Sequence, residues 1–210
     1  FPSMKQVDKN AYEFERYVGI DRWASYHYQL REIFAQKPDS VLEIGVGDRV
    51  VGNILNDHGI AYTSADIAED LLPDVVADVT ALPFADASFD VVCAFEVLEH
   101  LPFEQFERAL AELARVSRRA VLLSLPHFGP SVRLEFKIPC VPRIRFAFKI
   151  PLPMKHTFNG QHYWEIGKRG FPISRIRDIL SKQFRIEREF VPFENQYHHF
   201  FVLKKKHSSI

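Results

Sequence analysis

The residues best placed to do chemistry begin at Val41-Leu42-Glu43-Ile44-Gly45-Val46-Gly47. An apolar run ends in an acid, then Gly-x-Gly opens a helix. Glycines let the chain turn sharply and let a ligand lie against bare backbone. Open α/β sheets bind ligands in such a crevice, beyond the carboxyl end of a strand. The plain alternative is a tight strand–helix turn with no ligand. Asp66 lies 23 positions beyond Glu43 and closes the next extended run. A carboxylate there can accept both hydroxyls of a ribose, or it can cap a short helix starting at Ile67.

Nicotinamide dinucleotides and S-adenosylmethionine both carry adenosine, so Asp66 does not choose between them. Two other positions do. Val50 stands where the dinucleotide fingerprint needs a third small residue. Glu43 would repel a pyrophosphate and attract the ammonium of a methionine moiety.

These groups need a scaffold, and the periodicity supplies one. A helix is expected over Asp8–Tyr17, and another begins at Asp21 as N-cap, with Trp23, Tyr26, Leu30 and Phe34 at helical spacing. Strands follow at Ser40–Ile44, Ala61–Asp66, Val75–Asp78, Phe89–Phe95 and Ala120–Leu125. Helices at Val50–Asp57 and Phe103–Val116 come between them. Apolar strands alternating with helices predict a Rossmann-like α/β fold, mostly parallel and seven-stranded, with helices on both faces. Ser174 caps a last helix to Phe184. Strands at Arg185–Val191 and His198–Leu203 then follow, and their link is too short for a parallel crossover, so the fold ends in an antiparallel hairpin.

The 210 residues suit a single domain: N-terminal helices (1–38), a ligand-binding core (40–125), an insertion (126–170) and the final helix and hairpin (171–210). Residues 126–170 hold six of the 13 prolines and many aromatics, which predicts an ordered, packed loop without regular strand. Charge is uneven. Residues 1–125 carry 11 Lys+Arg against 21 Asp+Glu, whereas 126–170 carry 8 against 2. Basic residues interleaved with aromatic ones suit an anionic or amphipathic molecule, or peripheral membrane contact through 126–158. Nucleic acid is disfavoured by the acidic remainder. Cys93 and Cys140 form no metal-type pair and no disulfide framework. With no secretory signal and no apolar span of about 18 residues, the expected location is cytoplasmic.

Three stretches give a family resemblance. The Gly-x-Gly turn is one. The second, Asp78-Val79-Thr80-Ala81-Leu82-Pro83-Phe84-Ala85-Asp86-Ala87-Ser88-Phe89-Asp90, is the most specific. The third is Phe95-Glu96-Val97-Leu98-Glu99-His100-Leu101. Together they resemble the class I S-adenosylmethionine-dependent methyltransferases of the type-11 group, from about Ser40 to Leu125. The resemblance implies that Glu43, Gly45 and Gly47 hold the methionine end of the cofactor and that Asp66 holds its ribose. Asp78 and the Val79 backbone would contact adenine, Ile67 would pack on its ring, and Phe95 would line the site. Arg49 departs from the family, where many members have a third glycine. Its cation must point away from a cationic cofactor or pair with Asp48.

Methyl transfer to a hydroxyl of a small-molecule acceptor is helped by a base, for which His100, His127 and His162 are the candidates. Glu96, Glu99, His100 and His162 are also similar to the residues through which some methyltransferases bind a divalent cation such as magnesium, among them ubiquinone-pathway O-methyltransferases and small-RNA 2′-O-methyltransferases. Many metal-free relatives share the same stretch, so both readings stand. The competing classes are a non-catalytic member of this fold acting through protein contacts and, disfavoured by Val50 and Glu43, an NAD(P)-dependent oxidoreductase. Neither the acceptor's identity nor an oligomeric state follows from the residues.

Overall fold

The computed structural model describes residues 19–206. In chain order its elements are α1 (Ile20–Ala35), β1 (Ser40–Ile44), α2 (Val50–Asp57), β2 (Ala61–Asp66), β3 (Val75–Val76), β4 (Phe89–Phe95), α3 (Phe106–Val116), β5 (Ser117–Pro126), β6 (Ser131–Phe136), β7 (Ile144–Lys149), α4 (Ile173–Gln183), β8 (Phe184–Phe190) and β9 (His198–Lys205). Seven strands form one sheet in the order β3-β2-β1-β4-β5-β9-β8. Strands β1 to β5 pair in parallel, and β9 runs antiparallel between β5 and β8.

Strand side chains alternate between two apolar layers, as the pleat requires. Val41, Val91, Cys93 and Leu122 pack with Tyr26 and Ile33 of α1 and Val51 and Leu55 of α2. Their neighbours Leu42, Val92, Ala94 and Leu123 pack with Phe106, Leu110 and Leu113 of α3 and Ile176 and Leu180 of α4. Burial on both faces explains why these strands read as unbroken apolar runs.

Several local expectations change. The predicted helix at Asp8–Tyr17 lies outside the described residues. Gly19, not Asp21, is the N-cap of α1, and Pro172, not Ser174, is that of α4; neither cap makes a side-chain bond. Proline's fixed φ suits a helix entrance, which moves the start of α4 one residue earlier. The helix expected from Phe103 opens with a 3₁₀ turn over Phe103–Gln105. The third strand shortens to two residues because Asp78 folds onto Thr80, its Oδ1 accepting bonds from the Thr80 amide and hydroxyl at 2.8 Å each.

The largest change is in the proline-rich insertion. Strands β6 and β7 pair there as a separate antiparallel hairpin. Pro130, Pro139, Pro142 and Pro151 all fall outside the two strands, so none removes a ladder donor. The packing expected of its aromatic residues is also divided. Trp164 is fully buried against Phe103 and Phe106, while Phe136, Phe146 and Phe148 are exposed.

Candidate functional site

The predicted cofactor residues gather beyond the carboxyl ends of β1, β2 and β4. Gly45 has φ +84° and donates its amide to the Ala65 carbonyl at 2.9 Å. A Cβ there would stand 2.4 Å from Val97 Cγ2, so the turn accepts no larger residue without movement. Gly47 (φ 53°) and Arg49 (φ 66°) are also left-handed. Asp66 ties this loop to β2: Oδ2 accepts the Val46 amide at 2.9 Å and Oδ1 the Ala68 amide at 2.8 Å. It therefore acts as a local cap, yet each oxygen retains a lone pair for a ribose hydroxyl. Beyond it Ile67 is exposed, whereas Val79 is buried.

Glu43 is buried and accepts the Tyr62 hydroxyl at 2.5 Å. Burial pushes its carboxyl up to about 8; Asp48 and Asp66 push the same way and the Tyr62 hydroxyl opposes them. The Phe95 ring, half-buried, lies 6.1 Å from that of Phe200. Arg49 bonds the carbonyl oxygens of Leu71, at 2.9 Å, and Leu72.

A second cluster forms where the chain leaves β4. A 3₁₀ turn over Leu98–His100 presents Glu99 and His100. The Tyr163 amide donates to the Glu99 carbonyl at 2.9 Å, and buried Trp164 anchors the returning segment. This brings the His162 ring 5.0 Å from that of His100, and one donor atom each of Glu99, His100 and His162 fall within 4.8 Å of one another. Glu99 is wholly buried and neither carboxylate oxygen has a hydrogen-bond partner. Burial, then the nearby charges of Glu96 and Glu165, hold its carboxyl well above the usual range. Burial and the neighbouring His162 pull His100 down to about 4, so its ring is neutral at pH 7. His162 Nδ1 meets Glu165 Oε1 at 3.0 Å, and Tyr197 donates to the same oxygen at 2.8 Å.

Glu96 does not join that trio. Its left-handed backbone (φ 56°), with the amide bonded to the Ser124 carbonyl at 3.0 Å, sends its side chain elsewhere, and Oε2 lies 3.6 Å from His198 Nε2. His127 also has a different neighbour. Its Nδ1 lies 3.0 Å from His199 Nδ1, with the rings stacked, and burial first, then His199, pulls it down to about 3.

His198 and His199, with Tyr197, are not singled out by the sequence. A signal for the two histidines existed. A final strand that runs antiparallel must begin at the carboxyl edge, and the register sets His199 opposite Leu125 and His198 opposite Pro126. His198 Nδ1 also meets Ser25 Oγ of α1 at 2.9 Å, which ties the first helix to the site.

Residues 42–125 match the family model described as a methyltransferase domain. No curated protein matches the chain by sequence. Among solved structures, the CcbJ methyltransferase from Streptomyces caelestis superposes with a TM-score of 0.65 at 12% identity, covering 99% of this chain and 100% of that one. The 1,6-didemethyltoxoflavin-N1-methyltransferase of Burkholderia thailandensis, with 1,6-didemethyltoxoflavin and S-adenosylhomocysteine bound, gives 0.62 at 16% identity, over 94% and 85%. The magnesium protoporphyrin IX methyltransferase of Synechocystis PCC 6803, with S-adenosylmethionine bound, gives 0.56 at 18% identity, over 89% and 81%. Residues 42–125 thus match a methyltransferase domain, and the chain as a whole takes the fold of these methyltransferases.

Proposed function

We propose that the chain transfers a methyl group from S-adenosylmethionine to a hydroxyl oxygen of a small molecule, with Glu99, His100 and His162 holding a divalent cation beside the acceptor. The observation that carries this reading is Glu99: a wholly buried carboxyl group whose two oxygens accept no hydrogen bond, facing two imidazoles, with Oε1 4.0 Å from His100 Nε2. Leaving such a group unpaired is costly, and a hard cation is the partner that satisfies it. The lowered basicity of His100 keeps its ring unprotonated, as ligation requires.

The crevice also fits the cofactor. Gly45 and Gly47 bare their backbone at a left-handed turn, and Asp66 has acceptor capacity for a ribose. Glu43 is protonated while buried alone, and an ammonium beside it would draw that proton off. Asp78, the Val79 backbone and Ile67 would enclose adenine, and Phe95 would line the crevice near the transferred group.

S-adenosylmethionine supplies a methyl group already activated on sulfur, so the protein's work is mainly positioning. A bound cation would orient the acceptor and acidify its hydroxyl. Glu165 holds His162 from behind through the 3.0 Å contact, fixing the ring's orientation. The segment 126–170 lies beside β5 and would close over the acceptor as a lid. The His127–His199 pair would shape the far wall; its depressed basicity makes it a weak proton acceptor.

The test has two stages. Calorimetric titration with S-adenosylmethionine, S-adenosylhomocysteine and NADH, alongside Asp66→Ala and Asp78→Ala, should show the first two binding and both variants failing. Binding of NADH alone would overturn the reading. Turnover of hydroxyl acceptors with magnesium, and again with a chelator, should then fall on chelation and in His162→Ala. Unchanged turnover would remove the metal.

A further inference from the structure

The β6–β7 hairpin is amphipathic the wrong way round for a soluble domain. Cross-strand pairs sort its residues into two faces. One face carries Arg133, Glu135, Arg145 and Lys149 and turns toward the domain. There Arg133 bonds the Glu194 carbonyl at 3.0 Å, Arg145 meets Glu194 Oε1 at 2.6 Å, and Lys149 bonds the His127 carbonyl. The other face is wholly apolar: Val132, Leu134, Phe136, Ile144, Phe146 and Phe148. All but Val132 are 40–59% exposed. Among the described residues no other element packs closely on the hairpin. The apolar surface continues round the tip through Ile138 and Val141, and Lys137 and Arg143 flank it.

We propose that this face docks on an anionic phospholipid bilayer. Water-facing polar residues would be expected outside and apolar ones inside, and a contiguous exposed apolar patch marks an interaction surface. Basic residues beside it fix the sign of the partner. The segment 126–170 carries 8 Lys+Arg against 2 Asp+Glu, and a second copy would bring two such basic tips together. A bilayer supplies negative headgroups for Lys137, and for Arg143 beyond its 3.3 Å ion pair with Glu135, and hydrocarbon for Phe146 and Phe148 at the depth a hairpin can reach. Among the described residues no helix is long and apolar enough to cross a membrane. Docked this way, the hairpin would set the insertion beside β5 against the lipid surface. The proposal does not depend on the reaction catalysed.

Cys140 gives the probe. It is exposed at the tip, and the other cysteine, Cys93, is buried, so one thiol takes a polarity-sensitive fluorophore. The full chain, so labelled, is mixed with phosphatidylcholine vesicles with and without phosphatidylglycerol. Blue-shifted emission and co-sedimentation should appear with the anionic vesicles and weaken with salt. Lys137→Ala should weaken binding about fivefold, from roughly 1 kcal/mol per basic residue near the surface. Phe146→Ser with Phe148→Ser should abolish the shift while leaving the thermal unfolding midpoint in place, because both rings are exposed. No vesicle binding, or equal binding by the double variant, overturns the proposal. So does a concentration-dependent dimer that the double variant dissolves, since the cover would then be a second copy.

Discussion

Arg49 holds a left-handed backbone conformation and reaches the Leu71 carbonyl 2.9 Å away, in the segment that follows β2. The conformation explains why a glycine suits this position in the family the sequence resembles. The bonds explain why an arginine is tolerated: a left-handed residue other than glycine is strained by about 1–2 kcal/mol, and hydrogen bonds to carbonyl oxygens offset it. Arg49→Gly relieves the strain and loses the bonds, so stability should change by less than about 1 kcal/mol. Arg49→Ala loses the bonds and keeps the strain, so it should be the less stable of the two by about 1 kcal/mol. Denaturant unfolding of both variants checks the order, and equal stabilities would refute it.

Gly45 allows no such substitution. An added Cβ meets Val97 Cγ2 at 2.4 Å while φ stays at +84°. Gly45→Ala should destabilise the fold by about 3 kcal/mol, summing backbone strain and overpacking. Adding Val97→Ala should restore the overpacking part alone. Full recovery in the double variant would mean that the backbone conformation is unstrained.

Much of this frame is legible in the sequence, because the central strands are buried on both faces and read as apolar runs between turn signals. The cofactor crevice is legible for the same reason: its residues follow directly on those runs. What is not legible depends on long-range return of the chain. His162 meets His100 because Trp164 buries itself against Phe103, Phe106 and Phe171, and no local periodicity records that. Glu96 and Glu99 look equivalent by spacing, but only Glu99 falls with His100 and His162, while Glu96 meets His198 at 3.6 Å. The hairpin at 131–149 was hidden because prolines bracket its strands, and proline density reads as loop.

Glu43 should impose a pH dependence. Its folded carboxyl titrates near 8 against an ordinary value of 4.5, so the folded chain binds a proton that the unfolded chain has lost. The sign follows: its favourable contribution is complete below about 4.5 and is lost as pH rises toward 8. Glu43→Gln should therefore match the wild type near pH 4.5 and exceed it in stability near pH 8. Thermal unfolding across that window reads the difference. A gap that does not widen with pH would show that Glu43 is ionised in the fold. Cofactor binding near neutral pH should also release a proton in the wild type and none through this route in the variant, visible as buffer-dependent binding heat.

Glu99 should show function set against stability. The apo fold holds this carboxylate buried, without a hydrogen-bond partner and near Glu96 and Glu165. Glu99→Gln keeps the shape and removes the electrostatic penalty, so in chelator the variant should unfold at a higher temperature than the wild type. Added magnesium or manganese should then raise the wild-type midpoint and leave the variant unchanged, because ligand binding to the folded state alone stabilises it. A variant less stable in chelator, together with a wild type indifferent to metal, would mean that Glu99 is satisfied within the protein and that His100 and His162 serve the acceptor without a cation.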